Sequence, residues 1–337
     1  MTTDALGAAP PLTISARVIQ ALGWAMIWLM LAYLLNNMLI FWFGWPGIAE
    51  MIGFGAINGS EPNAGLAALQ LGLYGAALLG AVYLAFIRTA SLREDAKRVS
   101  DANAYFIRAC FWAALFIGVG DAIISFMRIE ELLDPVFGES LAGALRFPEG
   151  RAMVLHGPLI VISFILAAFT RTLGFHWLAL LVVIAELLIV VGRFIFSYEQ
   201  AFMADLVRFW YSALFLFASA YTLLEDGHVR VDVFYAGFED KTKGYVNAIG
   251  AVLLGMLLCW TVLLMGTWGK ANVINSPILA VEVTQSSFGA YLKYLMAGFL
   301  AIFAASMMVQ FVSALFEGAA DIRDEPGKRE KPAEMAH

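Results

Sequence analysis

The chain has 337 residues, enough for about two globular domains, yet 61% of them are hydrophobic, 14% are charged, and the mean hydropathy is +0.78. A soluble domain carries roughly a quarter charged residues to cover its surface, so most of this surface faces something other than water. The net charge of −6 and the absence of any basic stripe exclude nucleic acid as a partner.

Residues 1–16 are polar to neutral without an early basic cluster, and the apolar run after them is too long for a signal core, so it should stay as an anchor. A helix needs about twenty residues to cross roughly 30 Å of hydrocarbon. Runs of that length are expected near 17–43, 65–88, 104–128, 152–170, 175–197, 207–225, 244–269 and 289–316. Only Arg171, Thr172, Gly174 and His176 interrupt the fourth and fifth, which reads as a tight hairpin. The charged, proline-containing tail from Asp321 to His337 is expected to be disordered. No period-2 segments appear, which excludes a β-barrel. The fold class is therefore all-α: a polytopic membrane helical bundle with about eight transmembrane helices.

Alternating the loops across eight spans puts 14 of the 21 basic residues on one side, including the cluster Arg88, Arg93, Lys97, Arg98 and Arg108, while the first loop opposite (44–64) has none. Basic residues accumulate on the cytoplasmic side, so both ends are expected inside. By character the chain divides into a four-helix front, 1–170, a four-helix back, 171–318, and a cytoplasmic tail, 319–337.

Polar groups within lipid are costly and usually have a reason. Glu186 lies near the middle of the fifth span with Arg193 two turns along the same face, and Asp121 and Arg128 repeat that spacing in the third. They read either as a proton or ion relay lining a substrate path, or as polar glue between helices, and the structural reading is preferred. Asn36 and Asn37 are candidates for interhelical hydrogen bonds. Gly72, Ala76 and Gly80 make a flat strip along the second span that suits close internal packing.

Signals for catalysis and cofactors are absent. Cys110 and Cys259 lie in apolar runs and read as buried thiols, with no disulfide framework or metal site. His156 and His176 fall at opposite ends of their hairpin and His228 in a loop, so no pair clamps a haem. No HExxH, no nucleophile elbow and no phosphate-cradling loop occurs. The chain is not expected to be an enzyme or to hold a cofactor. One connector stands out: after the sixth span, His228, Arg230 and Asp232 alternate with valines, as in an interfacial helix or a docking ledge.

The run from Gly192 through "GHVRVD" at Gly227–Asp232 resembles the small membrane subunit, the Q-type permease, of tripartite ATP-independent periplasmic (TRAP) transporters. The resemblance rests on Arg193-Phe194 closing one helix, an acidic interfacial stretch from Glu199 to Asp205, and His228 to Asp232 closing the next. Two further helices follow in the family's number and spacing. The chain departs from the pattern in having Phe194 where a tyrosine is usual, in reducing an acidic pair to Asp205, and in carrying four extra helices before the family-like unit.

The resemblance implies a non-catalytic small permease (DctQ-like) of a sodium-driven symport system in a bacterial inner membrane. Such a subunit braces a large permease, to which a periplasmic solute-binding protein delivers an organic acid. It implies subunit contact or interfacial anchoring for Arg193, Asp205, His228, Arg230 and Asp232. Two rivals stay open: a self-contained transporter or channel using Asp121, Glu186 and Arg193, and a membrane anchor of a redox enzyme.

Overall fold

The structure is a computed structural model that describes residues 12–53, 55, 60–87, 89–171, 174–197, 201–225, 233–284 and 289–328. Among the described residues the regular structure is helical, with no strand. The main helices are α1 (Ile14–Phe43), α2 (Ala64–Ile87), α3 (Leu92–Ile129), α4 (Leu133–Arg146), α5 (Pro148–Phe169), α6 (Phe175–Ile195), α7 (Ala201–Leu224), α8 (Asp240–Thr267) and α9 (Lys293–Ile322). All except α4 are long and apolar enough to cross a membrane, and each expected span overlaps one of these eight. The protein is a multi-pass, all-α membrane bundle.

The helices overrun the apolar runs where local chemistry continues them. Ahead of α3, Glu94 N–H donates to Ser91 Oγ (3.2 Å) while Ser91 N–H donates to Glu94 Oε2 (3.3 Å), a reciprocal capping box. The charged stretch after it is rich in helix formers, so α3 reaches 38 residues, about 57 Å at 1.5 Å per residue. At the N-terminus of α1, Ala16 N–H donates to Thr13 Oγ1 (3.3 Å). The tail expected from residue 319 begins ordered: α9 runs to Ile322, and Arg93 Nε bonds the Glu325 carbonyl (3.1 Å). Residues 329–337 lie outside the described residues.

By proximity the chain forms two compact units. One comprises Met1–Asn103, Thr222–Lys270 and Met307–His337, and the other Ala104–Tyr221 and Ala271–Ser306. Each draws on both halves of the sequence, because these units follow spatial clustering whereas a division at residue 170 follows chain order.

In the first unit α1 and α2 are joined by a polar chain. Gly47 N–H donates to Gln70 Oε1 (2.8 Å), Gln70 Nε2 donates to Asn36 Oδ1 (2.6 Å), and Asn36 Nδ2 donates to Tyr74 Oη (3.3 Å). Asn37 Nδ2 reaches the Thr267 carbonyl of α8 (2.7 Å), so both asparagines bond between helices. Gln20 Nε2 and Trp24 Nε1 donate to Asp95 Oδ2 (2.9 and 3.0 Å), and Arg93 pairs with Glu317 and Asp321. Gly244 of α8 and Gly318 of α9 meet backbone to backbone, a Cβ on Gly244 falling 2.7 Å from the Gly318 carbonyl. The expected small-residue strip does not serve such a contact: Gly72 and Ala76 are exposed, and a Cβ on Gly72 or Gly80 meets nothing within 4 Å. α2 buries Ala67, Ala77, Ala81 and Ala85 instead, a different face of equally small residues.

In the second unit Phe111, Phe209, Phe217 and Phe299 interlock, with Phe209 and Phe217 lying 4.9 and 4.8 Å from Phe299 centroid to centroid. Trp210 Nε1 donates to the Ala114 carbonyl of α3 (3.0 Å), while Tyr105 Oη and Arg108 Nε of α3 donate to the Phe164 and Ala167 carbonyls of α5 (2.9 and 3.1 Å).

Candidate functional site

The strongest polar constellation of the second unit is built where α3, α5 and the entry to α9 meet. α3 supplies Asp121 and, one turn on, Ser125. α5 opens with Pro148 as a short α-helical turn ending at Arg151 and then widens into a π-helical segment, Ala152–His156. Gly157 N–H bonds the Ala152 carbonyl, five residues back, and Pro158 has no N–H to offer Val154, so the wide turn falls here. At the corner between α4 and α5, a Cβ on Gly150 would collide with the Ala144 carbonyl, so only glycine fits.

Asp121, Arg151 and His156 are 0%, 0% and 1% exposed. Arg151 Nη1 donates to Asp121 Oδ1 (2.9 Å) and to Ser125 Oγ (3.0 Å), and its Nε donates to the Leu145 carbonyl (3.0 Å). Arg151 Nη2 has no hydrogen-bond partner among the described residues, but the guanidinium lies 4.1 Å from the centroid of the Tyr291 ring, whose face attracts the charge. His156 places Nε2 3.2 Å from Asp121 Oδ1 and Nδ1 2.7 Å from Tyr294 Oη. A neutral imidazole carrying its proton on Nε2 satisfies both contacts. Arg128, at the end of α3, does not bond Asp121. It contacts the Tyr291 hydroxyl, donates to the Gly289 carbonyl (2.8 Å), and stacks 4.4 Å from the Tyr291 ring centroid.

A second carboxylate shares the same task. Asp205, near the start of α7 and 7% exposed, accepts from Thr284 Oγ1 (3.1 Å) and Ala290 N–H (3.1 Å). The next amide, Tyr291 N–H, donates to Asp121 Oδ2 (3.0 Å). Two carboxylates from different helices thus take consecutive amides just ahead of α9, at the end of a helix whose dipole favours negative charge. Asp121 and Arg151 neutralise each other, and the arrangement is a buried clamp on the N-terminus of α9.

The structure does not bring the other expected residues to this cluster. Glu186 and Arg193 are exposed on α6, and neither has a hydrogen bond or ion pair among the described residues. His228, Arg230 and Asp232 lie outside the described residues. The reading from sequence missed Arg151, Tyr291 and Tyr294, and considered His156 only as a haem ligand, although both its ring nitrogens are committed here. An arginine followed five positions later by a histidine at the mouth of an apolar run was the available signal.

A family comparison matches residues 178–321 to the family described as tripartite ATP-independent periplasmic transporters, DctQ component. The match spans α7 and α8 whole and nearly all of α6 and α9, somewhat under half of the chain. Searches of curated proteins and of solved structures found no match.

Proposed function

We propose that this chain, a DctQ-like TRAP small permease in its residues 178–321 with additional apolar helices ahead of them, is the non-catalytic small permease subunit of a sodium-driven secondary transporter. In this reading it sits in a bacterial inner membrane with both ends in the cytoplasm and braces a large permease. A periplasmic binding protein delivers an organic acid to that permease. The family match carries the reading. The excess of basic residues on alternate loops supports the sidedness. The geometry does not favour the rival of a self-contained relay, because Asp121 is buried against Arg151 while Glu186 and Arg193 stand exposed on α6.

The extension, 1–170, acts in this reading as a buttress for the family-like segment, 171–318. Asp121, Arg151 and His156 belong to the extension, and the groups they hold, Tyr291 and Tyr294, lie in the matched segment. The test is tagged purification from native membranes in mild detergent, with mass spectrometry of the co-purifying proteins. A stoichiometric large permease of the same transporter class is the expected result. A chain that purifies alone and moves solute in liposomes would overturn the reading.

A further inference from the structure

The eight spanning helices are not equally covered. In α6 only 11% of the most apolar stretch is buried, the least of the eight, and its mean hydropathy of 2.6 is the highest. Its outer surface carries Val183, Leu187 and Val190 at 64%, 60% and 48% exposure, as a lipid-facing helix should. In their midst stands Glu186, exposed and without a partner among the described residues.

Glu186 is close to the centre of a 21-residue helix. At 1.5 Å per residue it lies about 14 Å from one end and about 16 Å from the other, far beyond the reach of its side chain to either interface. Hydrocarbon supplies no hydrogen-bond donor, and carboxyl groups in membrane spans face a bundle interior or a partner group. A second copy of this chain fits poorly. A two-fold axis along the membrane normal sets Glu186 against Glu186 at equal depth, and Arg193, seven residues on, is about 10 Å away along the helix.

We propose that the exposed face of α6 around Val183, Glu186 and Val190 is the seat of a transmembrane helix of the large permease, and that this helix presents a lysine or arginine to Glu186 at mid-bilayer depth. The proposal rests on the small-permease reading and adds to it the surface and the chemistry of the partner. α6 lies almost wholly within the family-matched segment, and an apolar face around one carboxylate calls for an equally apolar helix with one cation.

The test compares the full-length wild type with Glu186→Leu, co-expressed with the large permease and purified through a tag on this chain. In parallel, p-benzoylphenylalanine replaces Val190 in the otherwise unchanged chain for photo-crosslinking in intact membranes. The expected result is a tenfold or greater loss of co-purified permease in Glu186→Leu with an unchanged elution profile of the chain itself, and a Val190 adduct on a permease span carrying a lysine or arginine. Wild-type levels of permease with Glu186→Leu, or adducts only with lipid or a second copy, would overturn the proposal and leave the small-permease reading standing. Should Glu186→Leu fail to accumulate, the Val190 adduct decides alone, its presence on the permease supporting the proposal and its absence refuting it. A wild type that brings down no permease defeats both readings.

Discussion

Removing either member of the Asp121–Arg151 pair should be far more damaging than its position away from the family-matched segment suggests. Both side chains are fully buried, and breaking a buried pair by deleting one partner leaves an uncompensated charge, at a cost of about 3–5 kcal/mol. The two single variants should not be equal. Arg151→Leu strands a carboxylate that keeps donors from Ser125, His156 and Tyr291 N–H and can also take up a proton. Asp121→Leu strands a guanidinium that cannot release its proton and keeps only Ser125, the Leu145 carbonyl and the Tyr291 ring. Asp121→Leu should therefore sit near the upper end of the range and Arg151→Leu near the lower. The double variant removes both charges and should cost less than the sum of the two by about 2 kcal/mol or more. Reversible unfolding in mixed micelles, followed by circular dichroism for all four proteins, measures the cycle. Single-variant losses that add to within about 0.5 kcal/mol would refute the view that the two residues form one unit.

Asp205→Asn should loosen the segment ahead of α9, raising hydrogen exchange at the Ala290 amide about tenfold or more while α2 exchanges as before; mass-spectrometric exchange reads both. Gly318→Val places side-chain atoms against the Gly244 backbone and should lower stability by more than about 2 kcal/mol, whereas Gly72→Ala, which meets nothing and stiffens the middle of α2, should cost nothing and stabilise by up to about 1 kcal/mol in the same unfolding assay. Ser91→Ala removes the reciprocal cap of α3 and should cost about 1 kcal/mol, read from the same micelle titration.

The eight spans were legible because hydropathy is integrated over about twenty residues, so no single misread side chain shifts the count. Their polar overruns were not: the stretch after Ser91 is too charged to read as a span, yet capped and helix-forming enough to extend α3. Asp121 was conspicuous because a carboxylate in an apolar run is costly. Its partner was hidden, since the regular spacing to Arg128 lies on one helix while Arg151 arrives from another, a fact of tertiary packing. Tyr291 and Tyr294 gave no warning, as aromatics near a membrane surface are common. The strip of Gly72, Ala76 and Gly80 shows the converse: small residues permit close approach without saying what approaches.

The wide turn in α5 has a meaning for how this chain tolerates change in length. A π-helical segment is an α-helix with one residue too many, and deleting any one of Ala152, Met153, Val154 or Leu155 would remove the extra residue and tighten the turn toward α-helical pitch, leaving only the bond that Pro158 cannot donate unmade and every later span in place. The same loss would turn Arg151 by about 100° relative to His156. A three-base deletion there would pass unnoticed by the membrane, which reads only apolar length, and would be felt by Asp121, which needs both residues on its side of the helix.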